Sequence, residues 1–372
     1  MEKIKILHVN TSLIAGGVER LLDELLPLIK QNRNFEVELF LLEKSEDEIF
    51  EKTLIKNGIK IIYSNYKKKF DIRVLYQLRK LIENYDIIHT HIFPSQFYIP
   101  IVTIGLKVKP YLITTEHSTD NNRRKYKYLY IIERYLYLKY NKIISISKET
   151  QDNLLKWLKL EKRKLKTQKF ITIENGVNLK KFSSKNVKIE KNYFEKERKQ
   201  RIITMIGRFD VQKDQITLIK AIKDIEDIFL FLVGDGPLKK IAEDITKELN
   251  IEDKVKFLGT RKDIPQILKI TDISVLSSNY EGFGLVAIES MASNKPIIIS
   301  DVDGLMQVVG DGGVIFNKKN VDDLKEKIEL LIKDKKYYEK VVEKGLKVSK
   351  KYDLEKTLNN YLQLYLRRED YK

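Results

Sequence analysis

Short apolar segments alternate with amphipathic ones along almost the whole chain, and this alternation constrains the fold more than any other feature. The apolar segments are rich in Ile, Val and Leu, as in residues 3–9 (KIKILHV) and 201–207 (RIITMIG). Short continuous apolar strands between amphipathic helices are typical of a parallel sheet that is covered by helices on both faces. The sequence therefore predicts an α/β fold that is built from βα units.

The predicted βα units form two series. Strands of the first series are expected at 3–9, 35–42, 59–62, 86–89, 111–115, 142–147 and 170–174. Strands of the second series are expected at 201–207, 228–234, 255–258, 273–278, 296–300 and 313–316. We predict two Rossmann-like, doubly wound domains that face a central cleft, because ligands of such sheets bind outside the carboxyl ends of the strands.

The domain boundary is predicted from a change in composition. Residues 181–200 are polar, charged and without clear periodicity, which indicates a linker between domains at 1–180 and 201–352. The Asn-Gly pair at 175–176 predicts a turn that starts this connection. With 372 residues the chain is long enough to form two domains with full cores.

The segment 281–289 (EGFGLVAIE) carries the most specific chemical signal in the chain. It follows a predicted buried strand and holds a glycine-bearing loop and the start of a helix. Gly284 lets a ligand approach the backbone, and the first N–H groups of the helix favour a phosphate. Glu281 could reach a sugar hydroxyl, and Glu289 could accept hydrogen bonds from a ribose diol. The alternative is a plain βα turn with two solvated glutamates.

Two cations and a pair of glycines follow other predicted strands. Arg208 and Lys213 come directly after the first strand of the second series, where they could stabilise a diphosphate leaving group without a metal. Their alternative is an ordinary basic surface. Gly16 and Gly17 come directly after the first strand of the chain and could let a phosphate or an acceptor approach the backbone. Their alternative is a structural turn.

Three of the histidines lie at the ends of predicted strands in the first domain. His117 comes after the strand at 111–115 and is a candidate for a hydrogen bond to the donor sugar, although single histidines are usually structural. His89 and His91 share one face of a strand. Because no third ligand is evident beside them, we expect no metal site, and we expect both rings to line the cleft or to pack.

Composition narrows the class of protein. The chain has no cysteine, which excludes disulfides, thiolate zinc sites and cysteine nucleophiles. It begins without a signal-peptide pattern, and its longest apolar stretch, 97–106, contains a proline and is too short to span a bilayer. We therefore expect a cytoplasmic protein. The formal net charge of +17 has two explanations, a functional basic surface or a compositional bias towards lysine.

Basic and aromatic residues interleave in the first domain at 122–142, with further basic segments at 66–70 and 156–169. Such a surface suits an anionic membrane interface. The densest predicted cluster consists of Arg123, Arg124, Lys125 and Lys127, with Tyr126, Tyr128 and Tyr130 as interfacial anchors. The alternative is a solvated helix with core tyrosines. We expect no nucleic-acid partner, because the sequence contains no recognisable nucleic-acid module.

Four motifs in a fixed order carry a resemblance to a known family. They are Gly16-Gly17, then Gly207-Arg208-Phe209 with Lys213, then Gly234-Asp235-Gly236-Pro237, and then 281–289. Together they resemble the retaining glycosyltransferases of family 4, which have the GT-B fold. The resemblance covers nearly the whole chain and is strongest at 201–316. It implies a carboxy-terminal helix at 353–372 that crosses back to the first domain.

The resemblance implies a metal-independent transferase that needs no cofactor and gives an α-linked product from an α-configured nucleotide-diphosphate-sugar, with UDP-sugar favoured over GDP-sugar. The implied acceptor is a hydroxyl of a glycan or a lipid-linked precursor in cell-surface polysaccharide or glycolipid synthesis, so the enzyme would work peripherally at the inner face of the membrane. The implied catalytic residues are Glu281, His117, Arg208 and Lys213. The implied donor-binding residues are Gly16, Gly17, Arg208, Lys213, Gly284, Leu285, Val286 and Glu289.

The chain departs from the family pattern at two positions. Asn294 stands where many members have glycine, and we expect the turn to survive because asparagine tolerates left-handed backbone. Gln307 stands where a glutamate is common. Three alternatives remain on this fold: a sugar-nucleotide epimerase, a phosphorylase, and a catalytically silent sugar-nucleotide-binding or membrane scaffold protein. A phosphorylase would need a pyridoxal phosphate lysine and a longer chain, and the intact set of charged motif residues argues against a silent protein.

Overall fold

The computed structural model describes residues 2–14, 16–44, 49–119, 122–161, 169–183 and 200–367. The chain divides into two compact units. Unit 1 comprises Met1–Asn175 with Leu354–Lys372, and unit 2 comprises Gly176–Asp353. The predicted linker at 181–200 falls largely outside the described residues, so the domain bounds at 180 and 201 stay predictions.

Unit 1 contains a seven-stranded parallel sheet in the order β3-β2-β1-β4-β5-β6-β7. Its strands are β1 Ile4–Asn10, β2 Phe35–Leu41, β3 Lys60–Tyr63, β4 Ile87–Thr90, β5 Tyr111–Glu116, β6 Lys142–Ser145 and β7 Phe170–Thr172. Its first helices are α1 Gly17–Gln31, α2 Ile49–Lys56, α3 Arg73–Ile82, α4 Ser95–Val102, α5 Leu129–Tyr137 and α6 Lys148–Trp157. Buried aliphatic clusters lie on both faces of the sheet.

Unit 2 contains a six-stranded parallel sheet in the order β10-β9-β8-β11-β12-β13. Its strands are β8 Arg201–Ile206, β9 Ile228–Val233, β10 Val255–Gly259, β11 Ile273–Leu276, β12 Ile297–Ser300 and β13 Val314–Phe316. Its helices are α7 Leu179–Ser183, α8 Gln215–Ala221, α9 Lys239–Glu248, α10 Ile264–Ile270, α11 Leu285–Ala292, α12 Asp303–Val309, α13 Val321–Lys333 and α14 Lys335–Ser349.

The last helix, α15 Leu354–Leu366, returns to unit 1 as the resemblance implied. It buries Leu354, Tyr361 and Tyr365 in the core against one face of the unit 1 sheet. The hydroxyl of Thr357 also donates a hydrogen bond to the carbonyl oxygen of Glu174 over 2.9 Å. The helix is therefore an integral layer of unit 1 although it is the most distant segment in sequence.

All predicted strands are present, and their ends differ from the prediction by at most two residues. Three helices, α6, α7 and α12, were not predicted from the sequence. Helix α6 has a readable start signal, because the Ser147 hydroxyl accepts a hydrogen bond from the Thr150 N–H over 3.1 Å. Helix α12 has no side-chain cap and contains Gly304, so little in its local sequence favours a helix. Among the described residues, no helix combines the length and the apolar composition that crossing a membrane requires.

Candidate functional site

The predicted donor-site residues of unit 2 lie beside the point where its strand order reverses. Strands β8 and β11 are neighbours, and the chain continues from them towards opposite edges of the sheet. The loops after such a pair diverge and leave a crevice at the carboxyl ends of the strands. Arg208 and Lys213 lie on the loop after β8, and Glu281 and Gly284 lie on the loop after β11. The topology therefore gathers the four residues at one edge of unit 2.

Hydrogen bonds fasten these two loops to each other. The backbone N–H of Asn279 donates to the carbonyl oxygen of Gln212 over 2.7 Å. The Asn279 side-chain amide donates to the carbonyl oxygen of Val211, also over 2.7 Å. The Ser277 hydroxyl donates to the carbonyl oxygen of Asp214 over 2.8 Å. The loops are thus held as one structural element, which fixes the positions of the charged residues that they carry.

The charged residues on these loops form one ion pair and leave one cation free. The ammonium of Lys213 lies 2.5 Å from Oε2 of Glu281, and these side chains are only 16% and 12% exposed. Arg208 is exposed, and its guanidinium has no hydrogen-bond or ion-pair partner among the described residues. The structure therefore brings Lys213 and Glu281 together and leaves the Arg208 guanidinium available to an anionic ligand.

Helix α11 begins at this edge. Its N-cap, Gly284, has φ +80°, and a Cβ there would lie 2.4 Å from Cδ2 of Leu305, so this position requires glycine. Leu285 and Val286 are the first two helical residues and are partly exposed. The N–H groups of a first turn have no intrahelical partner, so they form a ready site for a phosphate.

Glu289 lies one turn further into α11 and is only 3% exposed. Together with the Lys213–Glu281 pair, this burial shows that the alternative of two solvated glutamates is wrong. The contact of Glu289 with a ribose stays a prediction. At the end of the same helix Asn294 has φ 57°, so the substituted turn keeps its left-handed backbone as expected. Gln307 is exposed on α12.

The loop after β9 depends on glycine for a different reason. Gly234 has φ +136°, and a Cβ there would lie 2.2 Å from the carbonyl oxygen of Gly207.

We expect Gly234→Ala to lower the free energy of unfolding by about 3 kcal/mol, because backbone strain adds to a collision with rigid backbone. Gly259→Ala is the matched control, since Gly259 has φ +64° but open space around it. Its cost should be about 1 kcal/mol. Equal losses in urea unfolding would contradict the role of the close contact.

All four histidines of the chain lie in unit 1 and form one hydrogen-bonded cluster. Nδ1 of His8 lies 2.9 Å from Nε2 of His91, and Nδ1 of His91 lies 3.2 Å from Nε2 of His117. His8 on β1 is the register partner of His89 on β4, and the strand order of unit 1 reverses between these strands. The cluster therefore starts at the reversal point of the sheet and ends at His117, just beyond β5.

Helix α15 closes the other end of this cluster. The Tyr365 hydroxyl lies 2.7 Å from Nδ1 of His89 and 3.5 Å from Nε2 of His8. Nε2 of His89 lies 2.8 Å from Oγ1 of Thr115. The statement that His89 and His91 lack a third neighbouring ligand is wrong, because ring nitrogens of His8, His89 and His91 lie within 4.8 Å of one another. Every ring nitrogen of these three histidines already has a protein hydrogen-bond partner, so the geometry is that of a closed network.

The network consists of neutral rings. Burial lowers the pKa of His8 and of His117 to about 3. Burial, followed by repulsion from neighbouring histidines, lowers the pKa of His89 and of His91 well below the ordinary value. A neutral imidazole has one donor and one acceptor nitrogen, so the direction of each hydrogen bond fixes the direction of the next. The tautomer of His117 is therefore coupled to the rings behind it.

The glycine pair at the start of α1 is not demanded by the backbone. Gly16 is the N-cap and has an extended φ of −163°, which any residue can adopt. A Cβ there would meet Oε2 of Glu19 at 2.5 Å, which is the far end of a long side chain and not rigid backbone. The pair does not follow β1 directly, because residues 11–15 intervene, and α1 begins at Gly17. The local fold thus gives no reason for glycine at this position. The close approach of a ligand to the backbone stays a predicted reason.

Four exposed cations were predicted after β5, and this prediction is wrong for two of them, Arg123 and Arg124. Nε of Arg123 lies 2.8 Å from Oε1 of Glu133, and its guanidinium stacks 4.3 Å from the ring centroid of Phe93. Arg124 donates to the carbonyl oxygen of Thr119 over 2.8 Å. Helix α5 begins only at Leu129, after both of these arginines. Both arginines therefore point into unit 1.

What α5 and the turn before it do expose is largely apolar and aromatic. The exposed fractions are 67% for Tyr128, 61% for Ile131, 49% for Ile132 and 53% for Tyr135. These positions are spaced as one helical face. Lys125 and Lys127 are exposed beside them. The surface at this helix is therefore an apolar stripe with a few lysines, and we call Tyr128, Ile131, Ile132 and Tyr135 the α5 stripe.

Similarity to known proteins agrees with this architecture. Residues 186–348 match the family described as glycosyl transferases group 1, and residues 15–181 match glycosyltransferase family 4. Among solved structures, Anabaena HepE in complex with UDP-glucose has a TM-score of 0.82 at 18% identity, over 97% of this chain and 99% of that one. The likeness to HepE concerns the fold, which is GT-B as predicted.

Two curated relatives are similar in sequence over most of their length. An uncharacterized glycosyltransferase of Methanocaldococcus jannaschii is 30% identical over 353 residues, which cover 91% of this chain and 92% of that protein. UDP-Gal:alpha-D-GlcNAc-diphosphoundecaprenol alpha-1,3-galactosyltransferase of Escherichia coli is 29% identical over 329 residues, with 81% and 80% covered. The chain therefore belongs to the glycosyl transferases group 1 and glycosyltransferase family 4, and it is a glycosyltransferase with the GT-B fold.

Proposed function

We propose that this glycosyltransferase is a retaining enzyme that moves a sugar from a nucleotide-diphosphate-sugar to a hydroxyl of a glycan or lipid-linked acceptor. The observation that carries the proposal is the edge of unit 2 where an unpaired Arg208, the Lys213–Glu281 pair and the start of α11 come together. A diphosphate is the ligand that two cations and a helix start suit best. The name of the Escherichia coli relative, with its UDP-Gal donor and diphosphoundecaprenol acceptor, supports the same class of substrates.

The proposed chemistry is electrostatic stabilisation of the leaving group. When the bond to the sugar breaks, negative charge develops on the diphosphate, and Arg208, Lys213 and the N–H groups of Leu285 and Val286 would stabilise it without reorganising. Glu281 holds the Lys213 ammonium in place through the ion pair at 2.5 Å. In the proposal the carboxylate of Glu281 also contacts a hydroxyl of the donor sugar. Metal is not needed for this charge balance, so we propose a metal-independent reaction.

Unit 1 would contribute His117 and the Gly16-Gly17 loop. His117 is partly exposed, whereas the three histidines behind it are buried, so its ring is the member of the cluster that a substrate could reach. A neutral His117 could hydrogen-bond the donor sugar without adding positive charge at the reacting carbon. The backbone of Gly16 and Gly17 would approach the donor phosphates. UDP-sugar is the proposed donor, as the bound ligand in the HepE structure also suggests.

A donor screen tests this proposal directly. UDP-, GDP-, ADP- and TDP-sugars should be compared for hydrolysis and for thermal stabilisation of the protein, and we expect UDP-sugars to act best.

Two further measurements test the mechanism. NMR of the product should show an α linkage from an α-configured donor, and activity should survive EDTA. A β-linked product would refute retention, and loss of activity in EDTA with rescue by Mg²⁺ or Mn²⁺ would refute metal independence. Release of a free altered sugar without any acceptor would favour the epimerase.

We also propose that the α5 stripe contacts the anionic inner face of the membrane, where a lipid-linked acceptor would be held. Exposed aromatic and aliphatic residues beside lysines are typical of such interfacial surfaces. We expect Ile131→Ser with Ile132→Ser to weaken sedimentation with vesicles that contain phosphatidylglycerol, because the pair would lose its buried apolar area in the lipid. Ile241→Ser is the control, since Ile241 is 47% exposed on α9 of unit 2. If wild-type protein does not sediment at low salt, the stripe does not bind lipid.

A further inference from the structure

A pocket of about 450 Å³ opens in unit 1 between α5, α6 and the 3₁₀ turn Asn122–Lys125. The charged side chains that line it are all cations in the part of the chain that the structure describes: Arg124, Lys127, Lys156 and Lys159. The aromatic side chains of Tyr130 and Trp157 complete most of the wall. A concave surface on which the described residues place four positive charges and no carboxylate is complementary to a multiply charged anion.

Arg124 is the residue that indicates what kind of anion fits. Its Nη1 donates to the carbonyl oxygen of Thr119 over 2.8 Å. Its Nε and Nη2 are shielded from solvent and have no hydrogen-bond partner among the described residues. Buried donors of a charged group are costly when they are unpaired. Nε and Nη2 form one edge of the guanidinium, and such an edge can bind two oxygens of a phosphate in parallel.

The acid that contacts this lining cannot serve as the missing partner. Oε2 of Glu133 accepts a hydrogen bond from Nε1 of Trp157 over 2.5 Å, and Oε1 accepts one from Nε of Arg123 over 2.8 Å. The Glu133 side chain is 1% exposed. Both carboxylate oxygens are thus engaged behind the wall of the pocket, so Glu133 forms no ion pair with the four cations in front.

Lys159 is held in the lining by an unusual backbone. It follows the end of α6 with φ 53°, a left-handed conformation that lysine adopts at a cost. Its ammonium lies 4.1 Å from the centroid of the Tyr130 ring. The cation–π contact holds the ammonium of this exposed lysine against the aromatic wall. The end of α6 therefore places a cation at the pocket.

We propose that this pocket binds a phosphate or diphosphate group of the acceptor, so that the acceptor of this enzyme is a phosphate-bearing glycan precursor. The inference rests on the proposed function and specifies its acceptor. A single carboxylate could satisfy the Arg124 edge but would leave the three lysines without a partner, whereas a diphosphate supplies both charge and several acceptor oxygens. Thr119, which anchors Arg124, follows His117 by two residues, so both belong to the loop after β5.

The pocket can be tested without any transfer reaction, because Trp157 is the only tryptophan of the chain and lines it. Inorganic pyrophosphate should change Trp157 fluorescence saturably, also in an Arg208→Ala background that weakens the donor site. Arg124→Met should weaken this binding by about 10- to 100-fold, which is the effect of losing a charged hydrogen-bond pair. Lys125→Met, with the same loss of charge at the exposed neighbour, should bind as the wild type does. Equal affinities of Arg124→Met and wild type would overturn the proposal.

Kinetics separate an acceptor phosphate from a phospholipid headgroup. Two acceptors should be compared: a sugar that is linked by diphosphate to a short soluble lipid, and the methyl glycoside of the same sugar. Arg124→Met should raise KM for the diphosphate-linked acceptor about 10- to 100-fold. It should leave KM for the methyl glycoside and the rate of donor hydrolysis unchanged. Lys156→Met, an exposed change that should not disturb folding, should act in the same direction with a smaller effect. Weaker binding of Arg124→Met to anionic vesicles with an unchanged KM would assign the pocket to a headgroup and overturn the acceptor role. Pyrophosphate binding without transfer to any acceptor would refute the proposed function and leave the pocket standing.

Discussion

Replacing Arg208 or Lys213 by alanine is expected to lower the rate of sugar transfer by about 10²- to 10³-fold while the protein stays folded. Both cations would stabilise charge that develops on the diphosphate as the sugar leaves. The change should appear in kcat and in kcat/KM, because the interaction is strongest in the transition state. Lys240→Ala is the matched control, since Lys240 lies on α9 in the same unit and its side chain is 71% exposed. Full turnover by both variants would show that neither residue stabilises the leaving group.

A double substitution separates catalysis from stability at the same site. Lys213→Ala leaves the Glu281 carboxylate, which is 12% exposed, without its cation, so a loss of stability is expected beside the loss of activity. Glu281→Gln removes that unpaired charge. We therefore expect the double variant to regain thermal stability and to remain inactive. Recovery of activity together with stability would mean that Lys213 acts only as a structural partner of Glu281.

Acidification from pH 7.5 to pH 5.5 is expected to lower the free energy of unfolding of unit 1 by about 5 kcal/mol. All four histidines, His8, His89, His91 and His117, have pKa values lowered by burial, whereas the unfolded pKa is about 6.5. Below pH 6.5 the unfolded chain binds protons that the native rings exclude. Their contribution to stability is therefore complete above the unfolded pKa and is lost as the pH falls below it, by about 1.4 kcal/mol per pH unit and histidine.

Trp157 allows this loss to be measured in unit 1 alone. It is the only tryptophan of the chain and lies on α6, whereas residues 176–353 contain no histidine. Urea unfolding followed by Trp157 fluorescence should shift strongly between the two pH values, and carboxylates contribute little there because their pKa values lie near 4. His8→Gln should flatten the shift by about a quarter, since one of four similar contributions is removed. An unfolding midpoint that does not change with pH would contradict neutral buried histidines.

The sequence by itself determined the order and kind of most elements, because these depend on local patterns. Apolar runs of β-branched residues fix the strands, and the glycine and charge pattern at 281–289 marks the loop and the start of α11. It also placed Arg208 and Lys213 after β8, at the ends of strands where open sheets bind ligands. Each of these signals is formed by residues that are close in sequence, so it can be recognised in the sequence without the structure.

Only the tertiary structure decided which of these residues meet. Lys213 and Glu281 form an ion pair because β8 and β11 are neighbours in the sheet. No local sequence pattern predicts that these two strands are neighbours. His8 joins His89 because β1 and β4 align in register. Arg123, which looks solvated in the sequence, is partly buried and pairs with the buried Glu133. Contacts between residues that are distant in sequence depend on strand order and packing, and these are set by the burial of the whole core rather than by any one segment.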